Sequence, residues 1–272
     1  MRPPPSMESL GLLERLELKF HIPETMVDPI SEYVSIYCSP DKYSRDAEEG
    51  AYTVNSLYFD SPNYLFLRRR LDGSANRVNM RVRSYGDMGE LPFFLEIKQK
   101  KVRLIRKYRA EVKIRTWHLV LENSGDEAPI DGDIATPRSH FDLFLRLAET
   151  YQAEPKVLLQ YKRRAYVSEV DDYARVTFDT DLKYCPPTGC QPYAEQDALV
   201  PCDHAAVFDP DCSVILELKC HSSQVPLWMI DLIRGFDLMR RRFSKYVTAA
   251  RELFQHHKRG SFGRQHAFSI GQ

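Results

Sequence analysis

Apolar and polar residues alternate along eight segments of the chain, which is the period-two pattern of β-strands. In the first of these segments Leu16, Leu18 and Phe20 fall on one face, and Glu17 and Lys19 fall on the other. The pattern predicts strands over residues 16–22, 52–59, 76–85, 92–100, 104–114, 157–167, 173–180 and 213–221. Apolar residues at helical spacing predict five helices, over about 23–38, 63–71, 139–151, 225–239 and 244–254. The chain is therefore expected to have an α+β fold.

The polar faces of these strands are unusual because arginine and lysine dominate them. Residues 76–85 place Arg77, Arg81 and Arg83 opposite Val78 and Val82. A solvent-exposed sheet face normally mixes both charges with Ser, Thr and Gln. We therefore predict a closed eight-stranded antiparallel β-barrel, with helices packed outside and the charged strand faces lining the lumen. So much buried positive charge requires water and a polyanionic ligand.

The net charge of the whole chain hides this basic region. The 272 residues contain 38 Lys and Arg and 38 Asp and Glu, so the formal net charge is zero. Residues 61–120 alone hold 15 basic and five acidic residues, an excess of +10 that the rest of the chain balances with −10. Because local fields decide which ligands are attracted, neutrality of the total does not exclude a polyanion.

Composition and motifs exclude several classes of protein. With 43% hydrophobic residues, the chain has the apolar content of a globular protein rather than a disordered one. No segment reaches the ~18–20 consecutive apolar residues that span a bilayer. Residues 1–11 lack the apolar region of a secretory signal, so a cytoplasmic location is expected. The six cysteines form no CxxC pair and match no common zinc spacing, which indicates scattered reduced thiols.

The same patterns divide the chain into three parts. Residues 1–13 are expected to be a disordered leader and residues 256–272 a flexible tail. Residues 14–255 are expected to form a single domain.

Seven short motifs, in order along the chain, resemble the polyphosphate polymerase domain of the vacuolar transporter chaperone (VTC), within the triphosphate tunnel metalloenzyme superfamily. They are Tyr58-Phe59-Asp60, Arg81-Val82-Arg83-Ser84-Tyr85, Leu95-Glu96-Ile97-Lys98, Gln160-Tyr161-Lys162-Arg163, Arg175-Val176-Thr177-Phe178-Asp179, Leu216-Glu217-Leu218-Lys219 and Phe243-Ser244-Lys245-Tyr246. The first strand reads Arg15-Leu16-Glu17-Leu18-Lys19. Arg15 replaces the first glutamate of the Glu-x-Glu-x-Lys motif of the CYTH branch, and this resembles the VTC branch rather than thiamine triphosphatases or class IV adenylyl cyclases.

The resemblance implies a role for particular residues. The basic residues expected to bind and act on phosphate groups in the tunnel are Lys19, Arg81, Arg83, Lys98, Arg163, Arg175 and Lys245. Further substrate contacts are expected from Lys107 (or Arg106, if the register slips by one), Tyr161, Lys219, Ser244 and Glu17. Ser244 and Lys245 begin a predicted helix, where free N–H groups favour an anion. Glu217 is the expected ligand of Mn²⁺ or Mg²⁺, and Glu96 and Glu17 are weaker candidates for this role.

The implied chemistry is phosphoryl transfer, which depends mainly on positioning and charge neutralisation. ATP or another triphosphate would donate its γ-phosphate to the end of an inorganic polyphosphate chain. Water as the acceptor would make the same site a triphosphatase or polyphosphatase, and the sequence singles out no residue that activates water. The basic strand faces would also suit a non-catalytic polyphosphate-binding module or an RNA-binding sheet. Nucleic acid is disfavoured because the aromatic residues mostly alternate away from the Arg and Lys face.

Two smaller features have ordinary interpretations. The run Arg68-Arg69-Arg70 lies on a predicted helix and is expected to be solvated surface. His21 lies on the polar face of the first strand, and the sequence leaves open whether its side chain belongs to the tunnel.

Overall fold

The computed structural model describes residues 15–102, 104–122, 138–171, 173–202 and 213–260. The predicted leader and the last twelve residues of the predicted tail lie outside these ranges. Among the helices of the described ranges, none is both long enough and apolar enough to cross a bilayer.

The described strands form one antiparallel sheet of ten strands. They are β1 Arg15–Ile22, β2 Cys38–Pro40, β3 Tyr52–Asp60, β4 Asn76–Tyr85, β5 Glu90–Lys101, β6 Leu104–Val112, β7 Glu154–Ser168, β8 Arg175–Cys185, β9 Val200–Pro201 and β10 Val214–His221. Eight of them follow the order β1-β10-β8-β7-β3-β4-β5-β6, while β2 pairs with β7 and β9 pairs with β8. All eight predicted strands are present, and the additional β2 and β9 are too short for alternation to reveal them.

The described residues include six α-helices that accompany the sheet. They are α1 Val27–Ser35, α2 Lys42–Asp46, α3 Leu65–Leu71, α4 Arg138–Tyr151, α5 Leu227–Gly235 and α6 Lys245–Gly260. The five predicted helices are found, and α2 is an additional one of five residues. Short 3₁₀ helices occupy Glu24–Met26, Trp117–Glu122 and Gln196–Ala198. Because α6 continues to Gly260, it extends into the segment predicted to be a tail.

Two apolar cores lie on the outer face of the sheet. The first joins Phe20, Leu216 and Leu218 of the strands to Val34 of α1 and Leu232 of α5. The second packs the outer face of β3 to β6 against α4 and includes Val82, Leu95, Phe141, Phe144 and Trp117. Side chains in a strand alternate between faces, so each outer apolar residue leaves its charged neighbours on the inner face.

A third core lies on the inner face of the sheet. The prediction that the helices pack outside is therefore wrong for α6. Leu159 and Tyr161 of β7 face the same side as Arg163, and they pack against Tyr246, Ala249 and Leu253 of α6, all in one cluster. The inner face of β7 is apolar from Val157 to Tyr161, and covering this surface stabilises the fold. Helix α6 therefore covers part of the inner face.

The sheet curls but its hydrogen-bonded path is open, so the closed eight-stranded barrel is not confirmed. In the described part of the chain, β1 and β6 are the two ends of the path. The Arg241 N–H donates to the Lys19 carbonyl at 2.8 Å, which occupies the free edge of β1. On β6, His140 Nδ1 of α4 lies 3.0 Å from the Arg109 carbonyl oxygen. The edge of β1 and the edge of β6 are therefore each in contact with a group outside the sheet and do not pair with each other.

Candidate functional site

Strand alternation brings polar and charged side chains of seven strands onto the inner face. The residues concerned are Glu17, Lys19 and His21 of β1; Arg81 and Arg83 of β4; Glu96 and Lys98 of β5; Lys107 and Arg109 of β6; Tyr161 and Arg163 of β7; Arg175, Thr177 and Asp179 of β8; and Glu217 and Lys219 of β10. An ion pair of 3.4 Å between Lys98 Nζ and Glu17 Oε2 links β5 to β1 across this face. The inner face is therefore a curved, charged surface.

The first charged group surrounds Lys19. Its Nζ lies 2.7 Å from Glu217 Oε1 and 3.2 Å from Glu17 Oε1, and Lys219 also pairs with Glu217. Burial alone would raise the pKa of Glu217, but the charges of Lys19 and Lys219 outweigh it and hold this pKa well below its usual value. Burial and Glu217 likewise oppose ionisation of Glu17, yet the lysines lower its pKa to about 2. Both carboxylates are ionised at neutral pH.

The second group surrounds Glu96. Glu96 Oε2 lies 2.7 Å from Arg81 Nη2 and 4.0 Å from Arg83 Nη1, while Glu96 Oε1 lies 3.8 Å from Arg109 Nε. Tyrosine hydroxyls accept further hydrogen bonds of 3.4 Å, Tyr58 from Arg81 and Tyr161 from Arg83. Burial would raise the pKa of Glu96, but Arg81, Arg83 and Arg109 hold it far below its usual value. Glu96 is thus hydrogen-bonded to Arg81 and close enough to Arg83 and Arg109 to interact with their charges.

The third group surrounds Asp179, which is fully buried. Arg163 donates two hydrogen bonds to its carboxylate, at 2.6 and 2.8 Å, and Lys245 donates a third at 2.6 Å. Burial opposes ionisation of Asp179, and Arg163 and Lys245 overcome it, so the pKa falls to about 2. Two of the predicted phosphate-binding residues are therefore held by one acid.

The remaining predicted residues lie at the margins of these groups. Arg175 pairs with Asp41 and keeps 39% of its side chain exposed. Lys107 is directly opposite Lys98 in the sheet register, so it is Lys107, and not Arg106, that shares the inner face. Ser244 precedes α6, and its carbonyl accepts from the Thr248 N–H at 3.1 Å, which places Ser244 at the N-cap as the sequence predicts.

Several buried polar atoms of the inner face lack a hydrogen-bond partner among the described residues. They are His21 Nε2, Ser56 Oγ, Arg83 Nε, Arg175 Nε and Thr177 Oγ1. Buried polar groups normally have partners, so such a concentration indicates a ligand or water that supplies them. The two guanidinium nitrogens are obligate donors and the two hydroxyls can donate, which suits a ligand rich in acceptor oxygens.

Sequence reasoning missed four residues of this surface. Tyr58 and Asp179 lie within the recognised motifs, but nothing in the sequence identifies their ion-pair or hydrogen-bond partners. Arg109 could have been found, because it lies two residues after Lys107 and therefore on the same face of β6. Arg70, expected on the solvated surface, is half-buried. Burial and Arg77 lower its pKa while Tyr58 and Glu17 oppose this, so Arg70 lies close to the inner face.

The carboxylates on either side of Lys19 fit a divalent cation. The described residues contain no group of three or more metal-ligating side chains. Magnesium is commonly held by only one or two carboxylates together with substrate phosphates, and Glu17 and Glu217 approach the same ammonium nitrogen at 3.2 and 2.7 Å. Glu96, the other candidate ligand, lies apart from these two carboxylates, among Arg81, Arg83 and Arg109.

Comparison with known proteins identifies the family. No curated protein matches the chain. Solved structures with low similarity include an adenylate cyclase candidate from Bacillus halodurans, with 11% identity and a TM-score of 0.47 over 85% of this chain and 96% of that chain. An adenylyl cyclase candidate from Hippeastrum, with a dominant triphosphatase activity, has 12% identity and a TM-score of 0.39 over 88% and 95%. The family model of the VTC domain matches residues 14–254, and the chain therefore belongs to the VTC domain family.

Proposed function

We propose that this chain is a metal-dependent phosphotransferase that extends inorganic polyphosphate with the γ-phosphate of ATP or another nucleoside triphosphate. The observation that carries the proposal is the surplus of cations on the inner face, of which Arg83, Arg163 and Lys245 are buried. Glu96 is shared by three arginines, Glu217 by two lysines, and Asp179 by Arg163 and Lys245. The uncompensated positive charge supports binding of a polyanion.

The triphosphate would bind to side chains that are already oriented. Arg81 is held by Glu96 and by the Tyr58 hydroxyl. Arg83 is held by the Tyr161 hydroxyl, and Arg163 by Asp179. Guanidinium groups suit paired hydrogen bonds to phosphate oxygens, while Lys19 and Lys98 act as compact positive charges. Preorganised donors stabilise developing charge on the phosphoryl group without reorganising during the reaction.

Glu217 and Glu17 are the proposed ligands of Mn²⁺ or Mg²⁺. A bound divalent cation neutralises the charge of the phosphates and helps to align them. Both glutamates remain ionised because the neighbouring lysines hold their pKa values low. Lys19, which bridges the two carboxylates, would then be free to pair with a phosphate oxygen.

The carboxylates of the inner face are poor general bases for activating a water molecule. A general base works best with a pKa near the working pH, whereas Glu17 and Asp179 titrate at about 2 and Glu217 far below its usual value. Burial lowers the pKa of His21, and Arg241, Lys245 and Lys19 lower it further, so these cations oppose proton uptake by the imidazole. The terminal phosphate of a polyphosphate chain is already an anion and needs no base.

The transfer itself is a simple exchange of phosphorus–oxygen bonds. A terminal oxygen of the polyphosphate chain forms a bond to the γ-phosphorus as the bond to the β-phosphate oxygen breaks, and ADP leaves. The side chains of the inner face hold the donor and acceptor in line and balance the charge on both.

The direct assay supplies purified protein with Mn²⁺ or Mg²⁺ and ATP labelled in either the γ- or the α-phosphate. Long chains that carry only the γ-label are expected, and they would establish polymerase activity. Labelled orthophosphate alone would instead establish a triphosphatase. Tight polyphosphate binding with no turnover under either metal would establish a binding module and overturn the enzymatic proposal.

A further inference from the structure

An aromatic cluster lies at one end of the inner face and is not explained by phosphate binding. It consists of Tyr43 of α2, Tyr52 of β3, Tyr85 of β4 and Phe94 of β5. The ring centroid of Tyr43 lies 4.4 Å from that of Tyr85 and 5.2 Å from that of Tyr52, and the centroids of Tyr85 and Phe94 are 5.5 Å apart. The four rings therefore form a continuous aromatic surface.

This aromatic cluster adjoins the guanidinium groups of the proposed triphosphate site. Arg109 Cζ lies 3.7 Å from the centroid of Phe94, and Arg109 also approaches Glu96. Burial would raise the pKa of Tyr85, but Arg83 and Arg109 lower it, which places its hydroxyl close to both cations. A ligand whose phosphates reach Arg83 would thus extend toward the rings.

Tyr43 is the ring of the cluster that is most available to a ligand, with 37% of its surface exposed, whereas Phe94 is buried. Its helix is held firmly by Asp41. The Asp41 carboxylate accepts from the Ser44 N–H at 2.9 Å and the Tyr52 hydroxyl at 3.2 Å, and it pairs with Arg175. Tyr43 is therefore an exposed ring on a fixed support.

The opposite end of β4 and β5 has a different chemistry. There Arg77 lies directly opposite Lys100, and Asn79 lies opposite Lys98. These side chains suit a chain of phosphates rather than a flat aromatic group. The inner face thus has one aromatic end and one basic end.

We propose that Tyr43, supported by the other rings of the aromatic cluster, stacks against the base of the nucleoside triphosphate and places the nucleoside at this end of the inner face. The inference rests on the proposed function, since it concerns the same donor substrate. Stacking on a ring tolerates any base, because every base has a π-face. A purine, which has the larger face, is the better fit.

Binding measurements with three ligands test this proposal separately from the proposed function. ATP and tripolyphosphate both carry three phosphates, but only ATP has a ribose and a base. Ribose 5-triphosphate carries the phosphates and the ribose without the base. With Tyr43→Ala, ATP affinity is expected to fall by about 5- to 100-fold, from the usual value of base–aromatic stacking, while tripolyphosphate affinity stays the same. Tyr43→Phe retains the ring and should retain ATP affinity. Tyr37→Ala, which removes a tyrosine stacked on Trp228 on the outer face, should change neither ligand.

Wild-type protein provides a test that needs no variant. It should bind ATP more tightly than ribose 5-triphosphate by a similar factor. Equal affinity for these two ligands, or a Tyr43→Ala variant that binds ATP as well as wild type, would overturn the stacking proposal and leave the proposed function standing. If wild-type protein bound none of the three ligands, the proposed function would itself be wrong.

Discussion

Asp179 shows at the scale of single residues how the inner face tolerates buried charge. Replacing it by Asn would remove the carboxylate to which the buried Arg163 guanidinium and Lys245 ammonium donate hydrogen bonds. The free energy of unfolding at pH 7 is expected to fall by about 3–5 kcal/mol, measured by urea denaturation. Tripolyphosphate should restore part of this loss, because it would supply acceptors to the same two cations. Asp181→Asn is the matched control, since Asp181 pairs with Lys183 at the surface and should contribute less than about 1 kcal/mol.

The pH dependence of this variant has a defined sign. Asp179 titrates at about 2 in the folded protein, below its usual value of 3.8. Its ionised form therefore stabilises the fold above about pH 4, and this contribution is lost as the pH falls toward 2. The stability difference between wild type and Asp179→Asn should shrink over that window. A difference that stays constant from about pH 7 to about pH 2.5 would show that the charge of Asp179 is not its source.

Glu217 is the residue whose replacement best separates metal-dependent turnover from anion binding. Glu217→Gln should lower turnover by at least about tenfold, because it removes a proposed metal ligand. Affinity for tripolyphosphate without metal should hold or rise, because Lys19 and Lys219 lose their shared counter-charge. Turnover assays and calorimetry check the two effects. Glu154→Gln, at an exposed carboxylate paired with Lys156, is the control, and unchanged turnover in Glu217→Gln would remove Glu217 from the metal role.

Arg83 tests the triphosphate contacts themselves. Arg83 is buried, its Nε has no described partner, and Glu96 is 4.0 Å away. Arg83→Ala should weaken tripolyphosphate binding by about 10- to 150-fold, the usual value of a hydrogen bond to a charged group. Arg138→Ala removes an exposed arginine of α4 and should have no effect. Wild-type affinity in the Arg83 variant would contradict the assignment of the site.

At the scale of elements, Asp60 joins β3, α3 and α6. Its carboxylate accepts from the Phe66 and Leu67 N–H groups at 2.8 and 2.9 Å, and from the Tyr246 hydroxyl at 2.7 Å. Tyr246→Phe should lower the free energy of unfolding by about 1.5–3 kcal/mol, because a buried hydrogen bond to a charged group is lost. Tyr33→Phe removes a neutral hydrogen bond to the Trp228 carbonyl and should cost less. Equal losses in the two variants would argue against this role of Asp60.

The elements that periodicity could predict are the long ones. Strands such as β4 and β7 alternate over ten or more residues, whereas β2, β9 and α2 are two to five residues long and carry no periodic signal. The apolar spacing of α6 predicts a helix but not the face of the sheet that it covers. The groups that occupy the edges of β1 and β6, the Arg241 N–H and His140, do not affect the hydrophobic pattern, so this pattern could not predict the open path of the sheet.

The same limit applies to the candidate site. Alternation and motifs reveal which basic side chains share a strand face, because face sharing depends only on position in the sequence. They do not reveal that Arg163 and Lys245 share Asp179, since these pairs form between residues distant in the chain. The partners, and with them the pKa values, require the folded structure.

At the scale of the whole molecule, the net charge of zero is the sum of a basic region and an acidic remainder of the chain. Residues 61–120 carry an excess of +10, and the strands β4, β5 and β6 that they contain contribute Arg81, Arg83, Lys98, Lys107 and Arg109 to the inner face. The balancing acidic excess lies elsewhere in the chain. A polyanion therefore meets a basic inner surface on a protein that is neutral overall.

The curved inner face of the sheet is the proposed binding site of a triphosphate. The most direct test is a crystal structure of the protein with Mn²⁺ and tripolyphosphate. We expect phosphate oxygens within about 3.2 Å of Lys19, Arg83 and Arg163, with the metal on Glu217. An anion bound instead at the exposed Arg68 on α3, with the inner face empty at saturating ligand, would contradict this assignment.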